Sequence, residues 1–274
     1  MPTRRPFTTR PLHLDDRAAE TMARRSGSHG VYVRNALAAG EGEGVWVREA
    51  ERERVLCWFG PRGNLVVLDD GAELDAAVTT AVVEAIGVAR MPWRIVMGPT
   101  PVVDELRGRV AGKPLVHRDQ VYYAGTAVDA AGPDGSVAVR TAERADRDRL
   151  VQATLQLNHA DLSIDPAHVD RRWLRDTIDE RIAEGSTRVV GPPGSPYCKL
   201  DFGSDGPGGA VIEGVFTFPE HRGRGLATAL VAACLRAAPG HVCLHVGRHN
   251  APARAAYERA GMRVAGGCRL LLLG

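Results

Sequence analysis

The stretch Val215-Phe-Thr-Phe-Pro219-Glu-His-Arg222-Gly223-Arg224-Gly225-Leu226-Ala227 constrains this chain more than any other. An apolar, strand-like run ends at a proline. A turn with two glycines in three positions follows, and an alanine-rich helix begins at once. Glycine accepts dihedrals that other residues resist, so the main-chain N–H groups of Gly223, Arg224, Gly225, Leu226, Ala227 and Thr228 can converge on one concavity. The helix start adds unsatisfied donors and the positive end of the helix dipole. Such a loop suits a pyrophosphate held by main-chain donors, to which Arg222 or Arg224 can add charge. Two other phosphate loops are excluded. A dinucleotide fold needs a third glycine and an acidic residue about 20 positions on, and a nucleotide P-loop needs Gly-Lys-Ser/Thr.

A second informative segment, Asn250-Ala-Pro-Ala-Arg254-Ala-Ala-Tyr257-Glu-Arg-Ala260-Gly261-Met262, starts 23 residues after Ala227. Asn250 is placed to cap a helix, Pro252 sits in its first turn and Gly261 lies just past its end. The elements around these two segments read in order as a strand at 137–140, a helix opened by acidic residues from Thr141 through Leu155, and a helix after Asp165-Pro166. On that second helix Val169, Trp173, Ile178 and Ile182 are expected to share the buried stripe. Strands at 187–190 and 197–202 follow, then a glycine-rich turn at 203–209 and a strand at 210–218. A helix at 226–238, a strand at 241–246, the helix at 250–260 and a final strand or hairpin around Gly266-Gly267 complete the half.

In element order and in both motifs this half, residues 137–274, resembles the GNAT superfamily of N-acyltransferases. Arg222, Gly225 and Ala227 fall in register with that family's Arg/Gln-x-x-Gly-x-Gly/Ala signature. The resemblance implies an acetyl-CoA site without a metal. Two neighbouring parallel strands, here 211–217 and 242–247, would diverge to admit the pantetheine arm, and main-chain groups of Val215, Phe216 and Thr217 would bind that arm like an extra strand.

Several side chains carry two readings. By the resemblance, Tyr257 is the acid that protonates the leaving thiolate. It also shares a helix face with Ala253, Ala256 and Ala260 and so belongs to a buried stripe in any case. Asn250 either caps its helix alone or touches the cofactor as well. An amine acceptor is mostly protonated at neutral pH and must lose a proton. Glu213, alone among small and apolar residues on the central strand, is the candidate base, against the reading of a strand-edge charge or ion pair. Strict alternation puts it on the face of Val211, Val215 and Thr217, unless a bulge breaks the parity. His245 on the facing strand is the second candidate.

The first half repeats the grammar without the signature. Two helices broken at Ser26-Gly27 lie between Asp15 and Leu37, followed by strands at 45–48, 55–59 and 64–68. A helix at 72–86, a strand at 93–97, a helix at 102–110 and a strand at 115–123 follow. The closing strand–helix–strand units of the two halves align with an offset of about 150 residues, as an internal duplication does. Where the second half has its glycine loop, the first has Asp69-Asp70-Gly71-Ala-Glu73, whose carboxylates repel a pyrophosphate. The expected architecture is therefore α+β. It has two tandem GNAT-like domains, each a mixed, mostly antiparallel sheet flanked by helices, as in tandem-GNAT proteins. Residues 1–124 form a degenerate domain that no longer binds CoA and serves as scaffold or wall of the acceptor site, 125–136 form the linker, and 137–274 form the acetyltransferase domain.

Composition narrows the partners. With 44% apolar residues, 25% charged residues and a net charge of only +2, the chain has neither a membrane-spanning run nor a strong global field. Its basic residues are arginines apart from Lys113 and Lys199, which reads as genome composition and not as an RNA-binding device. The five cysteines, at 57, 198, 234, 243 and 268, lack metal-ligand spacing and read as buried thiols. The expectation is a cytoplasmic monomer or homodimer, without nucleic-acid or membrane partners, that moves an acetyl group from acetyl-CoA to a primary amine by direct transfer. The alternative is a catalytically silent acyl-CoA sensor. The acceptor itself is not legible.

Overall fold

The computed structural model describes residues 7–132 and 137–274. Residues 133–136, the end of the expected linker, lie outside them. The chain divides into two compact units, one running through Tyr122 and including Gly206–Gly208 and Gly266–Gly274, the other holding Tyr123–Asp205 and Gly209–Ala265.

In the first unit the elements are β1 (Phe7–Pro11), α1 (Arg17–Arg25), α2 (Val31–Ala39), β2 (Glu43–Glu49), β3 (Arg52–Phe59) and β4 (Asn64–Asp69). They continue with α3 (Ala76–Ala89), β5 (Ile95–Gly98), α4 (Thr100–Arg109) and β6 (Val116–Gly125). The strands lie in the order β1-β2-β3-β4-β5, antiparallel except for the parallel pair β4–β5. Residues Arg269–Leu272 from the end of the chain add an antiparallel partner to β5. Strand β1 went unread in the sequence because Thr8 and Thr9 are both exposed, so no apolar alternation marks it. The break between α1 and α2 falls at Gly27, whose φ of +55° only glycine adopts readily. Helix α3 starts four residues later than the sequence suggests. Asp75 caps it, accepting the N–H groups of Ala77 and Val78, both at 3.0 Å. Its apolar face, Val78, Val82 and Ile86, packs on Val55, Leu65, Val67 and Val96 of the sheet.

The second unit contains β7 (Val139–Thr141), α5 (Arg147–Leu162), α6 (Arg171–Ala183), β8 (Thr187–Val190), β9 (Cys198–Gly206) and β10 (Gly209–Thr217). After them come α7 (Leu226–Ala237), β11 (Val242–Gly247), α8 (Ala251–Arg259) and β12 (Arg263–Leu272). Strand order is β11-β10-β9-β8-β7, with β10 and β11 parallel and β7–β8–β9 antiparallel. Two sequence expectations change. Strand β9 runs on to Gly206, so the glycine-rich segment is mostly strand and the turn is confined to its end. The last segment is a single strand, one of the two expected forms. On α6 the buried stripe is Leu174 and Ile178, packed on Leu150, Leu155 and Val189, whereas Trp173 is 62% exposed. Ile178 keeps its expected place and Val169 and Ile182 pack against the same cluster, so only Trp173 departs from the stripe. Asp170 caps the helix by accepting the N–H groups of Arg172 and Trp173.

Asp146 ties the opening of α5 to the sheet. Fully buried, it accepts from Arg140 Nη1 and Nη2 at 2.6 and 2.8 Å and from the N–H groups of Glu143 and Gly194, both at 2.9 Å. Burial on its own would raise this carboxyl, but the Arg140 guanidinium and the two main-chain donors outweigh it and hold the group below its ordinary value. A depressed carboxylate stabilises the fold above its unfolded pKa, and that contribution disappears as pH falls through the folded value. Asp146→Ala is therefore expected to lower unfolding free energy by about 2–3 kcal/mol at neutral pH. Urea titration should show the deficit shrinking as the pH is taken below about 4.

Candidate active site

The strands β10 and β11 are paired only at Ala210, Val211 and Ile212 with Val242, Cys243 and Leu244. Both continue, β10 to Thr217 and β11 to Gly247, so their facing main-chain edges are not joined beyond that register. Past Thr217 the chain makes a short 3-10 turn at Pro219–His221 and enters the glycine loop. Gly223 and Gly225 have φ of +75° and +72°, and nothing lies within 4 Å of a Cβ built on either. It is the backbone angle, not crowding, that demands glycine here, and both positions face open space.

Helix α7 begins directly at Gly225 without a side-chain cap. Among the described residues no side chain caps its first N–H groups, an arrangement suited to an anion. The matching helix of the first unit, α3, differs in the one respect that matters, since Asp75 occupies its donors and sets a negative charge on its start. The residues present at α7 fit a diphosphate, whereas those at α3 do not.

The remaining residues singled out in the sequence are placed as follows. Arg222 Nε donates to the carbonyl of Thr217 at 3.1 Å and its guanidinium lies 5.8 Å from the Phe216 ring centre, so this arginine pins the loop to the end of β10. Arg224 Nη2 donates to the carbonyl of Glu220 at 3.4 Å. Phe216 is buried edge-on against Phe218, while Val215 is half-buried. Thr217 Oγ1 donates to Cys198 Sγ at 3.2 Å. Leu226 and Ala227 are half-buried in the first turn of α7, and Thr228 Oγ1 donates to the carbonyl of Ala256 at 3.2 Å, binding that turn to α8. Asn250 caps α8 by accepting the N–H of Ala253 at 3.2 Å.

Tyr257 follows Ala256 on α8 and is 6% exposed. Burial pushes its phenol pKa up, and Asp161 and Cys198 add to the shift, so it keeps its proton at neutral pH. Tyr123, which the sequence did not single out, meets its ring edge-on with centroids 6.0 Å apart. The Tyr123 hydroxyl donates to Glu258 at 2.6 Å and accepts from Arg254 Nε at 3.1 Å, fastening α8 from both sides of Tyr257. His245 is half-buried on β11.

Glu213 lies on the same side of the sheet as Gly214. Its Cδ is 2.0 Å from where a Cβ on Gly203 would stand, and a Cβ on Gly214 would stand 2.7 Å from Asp201 Oδ2 and 2.9 Å from Lys199 Nζ. Asp201 and Gly203 are two apart on β9 and share a face, so two successive residues of β10 point the same way. With Gly214 at φ +57°, that is a β-bulge, and it breaks the parity which strict alternation assigned to Glu213. Under the bulge, Lys199 and Asp201 are almost fully buried (1% and 2% exposed). Asp201 accepts from Lys199 Nζ, from Arg181 Nη1 at 2.6 Å and from Thr187 Oγ1 at 2.8 Å. Lys199 and Asp201 gave no signal in the sequence because ionic residues in a short strand read as solvent-facing. Among the described residues no group of three or more His, Cys, Asp or Glu is placed to hold a metal ion, and no helix is long and apolar enough to cross a membrane. All five cysteines are buried and outside any disulfide, and burial pushes the Cys198 thiol up to about 11.

A helix start without a side-chain cap thus stands behind a glycine loop, next to parallel strands that part company. Residues 173–262 match the model of the Acetyltransferase (GNAT) family. The chain is similar to a GCN5-related N-acetyltransferase from Sphaerobacter thermophilus at 18% identity, covering 97% of this chain and 94% of that one, with a TM-score of 0.59. A Drosophila protein solved by structural genomics matches at 12% identity over 97% and 98% of the two chains, TM-score 0.61. A tandem GNAT protein from the clavulanic acid biosynthesis pathway matches at 14% identity over 97% and 98%, TM-score 0.51. At these identities the likeness is one of fold. No curated protein matches the sequence. Residues 173–262 thus resemble the GNAT family by sequence, and the chain as a whole shares the fold of a tandem GNAT protein.

Gly225→Asp tests the loop. A non-glycine residue at φ +72° costs about 1–2 kcal/mol, and the new carboxylate opposes an anion at the helix start. Calorimetry should show the Kd for CoA rising at least about tenfold, equivalent to about 1.4 kcal/mol, while the circular dichroism of the folded variant matches the parent. An unchanged Kd overturns the loop as the phosphate site.

Proposed function

We propose that the carboxy-terminal unit transfers an acetyl group from acetyl-CoA directly to a primary amine. The observation that carries this reading is the uncapped start of α7 at the parting of β10 and β11, tied through Thr228 to the helix that bears the protonated Tyr257. Acetyl-CoA supplies an acyl group already activated as a thioester. The chain supplies binding, alignment and proton handling.

Main-chain N–H groups of residues 223–228 would hold the diphosphate, with Arg222 and Arg224 bracing the loop that presents them. The unjoined edge of Val215–Thr217 would align the pantetheine arm and offer an N–H to polarise the thioester carbonyl. Glu213, turned by the bulge, accepts the proton that an ammonium acceptor must lose before it can attack. Tyr257 Oη holds the proton that a departing thiolate needs, and its burial keeps that proton in place until then. Alignment of both reactants supplies much of the rate. Asn250 supports the site through the cap it makes on α8. The first unit, with α3 capped by Asp75, acts as scaffold.

The test is thiol release from acetyl-CoA across simple alkylamines, amino acids, aminoglycosides and lysine-bearing or free-amino-terminal peptides. Tyr257→Phe should lower kcat by about a hundredfold on the amine that turns over fastest, while calorimetry finds the same Kd for CoA. Tight CoA binding with no thiol release on any amine would instead identify a silent acyl-CoA sensor.

A further inference from the structure

The bulge that turns Glu213 would bring nothing to bear if its carboxylate were free to swing. The space that its side chain occupies lies on the neighbouring strand. Glu213 lies across β9 at Gly203, with Cδ, Oε1 and Oε2 at 2.0, 2.3 and 2.4 Å from the position a Cβ would take there. No side chain beginning at residue 203 can coexist with the carboxylate where it stands. Gly203 has no positive φ, so its backbone conformation does not call for glycine. Space for the Glu213 carboxylate does.

One step along β9, the polar group of Asp201, Lys199, Arg181 and Thr187 closes off the other direction. Asp201 is held from three sides, and the missing Cβ of Gly214 leaves its carboxylate and the Lys199 ammonium in the room directly beneath the bulge. Such a buried and mutually satisfied network is rigid, because any displacement leaves a charge without its partner. The left-handed backbone of Gly214 completes the arrangement, since a residue with a Cβ would be strained there and would also strike Asp201.

The geometry points to Gly203 as a positioning residue. It forms a slot, walled by the buried Lys199–Asp201–Arg181 network, that seats the Glu213 carboxylate on the side from which the acceptor is deprotonated. This rests on the reading of Glu213 as the base. A glycine in mid-strand weakens β structure by leaving a gap in packing and adding freedom to the unfolded chain. Its presence here is accounted for by the side chain lying in that gap. The atoms that Gly203→Ala would strike are the mobile end of Glu213, not backbone, so the carboxylate moves and the fold does not.

The test compares the parent with Glu213→Gln, Gly203→Ala and the double variant, using acetyl-CoA and the fastest amine of the panel, with CoA affinity and Tm measured alongside. Glu213→Gln is expected to lower kcat about a hundredfold. Gly203→Ala should lower kcat at least about tenfold with KM for acetyl-CoA, Kd for CoA and Tm near the parent values, and should have no further effect in the Glu213→Gln background. A crystal structure of Gly203→Ala should show the carboxylate displaced from above residue 203, a result that needs no acceptor. If Glu213→Gln turns over like the parent, the base assignment is wrong. If Glu213→Gln is impaired but Gly203→Ala is not, or if the carboxylate stays put in the variant structure, the slot is wrong and the base assignment survives.

Discussion

A helix start with its donors left open is normally a defect that a capping side chain repairs, and among the described residues seven other helices begin with a capping carboxylate or amide, a proline, or a preceding 3-10 turn. Helix α7 begins at a left-handed glycine with no cap and faces outward. The rest of the carboxy-terminal unit is arranged around that omission. The strand before it parts from its parallel neighbour after three paired residues, and Arg222 reaches back to the end of the same strand to fix the loop's exit. The hydroxyl of Thr228 joins the first turn to α8, so the uncapped helix start and the buried phenol of Tyr257 are held by one short linkage.

The amino-terminal unit shows what happens when the same grammar loses the omission. Strands β4 and β5 are also parallel and also paired over only three residues. Yet α3 carries Asp75 at its start, bonded to two of the donors that a phosphate would need. Asp75 thus gives α3 the side-chain cap that α7 lacks. In the preceding turn Asp69 and Asp70 accept the N–H groups of Gly71 and Ala72.

The electrostatics of the second unit divide in the same spirit between fold and chemistry. Asp146 and Asp201 are both buried and both held below the ordinary carboxylate range by arginine or lysine partners, the first fastening α5, the second underpinning the bulge in β10. Tyr257 is shifted the other way by burial, which preserves a proton. Glu213, half-buried at the bulge, lies across Gly203, in the space a side chain there would take.

Local chemistry was enough to read the order of helices and strands, the glycine loop, the cap at Asn250 and the family resemblance. Each of these is written in consecutive residues, where proline, glycine and capping side chains act on their own neighbours. The misread stretches have a common cause. Strand β1 pairs through its backbone with no apolar signature, β9 extends through Gly203 and Gly206 because its neighbours pair with it, and Leu174, not Trp173, is the residue of α6 that packs beside Ile178. The side to which Glu213 points, the closing of α8 by Tyr123 across 135 residues of chain, and the burial of Lys199 against Asp201 depend on which strands lie side by side. Residue identity along one strand carries no record of its neighbour across the sheet, so these were decided only when the strands came together.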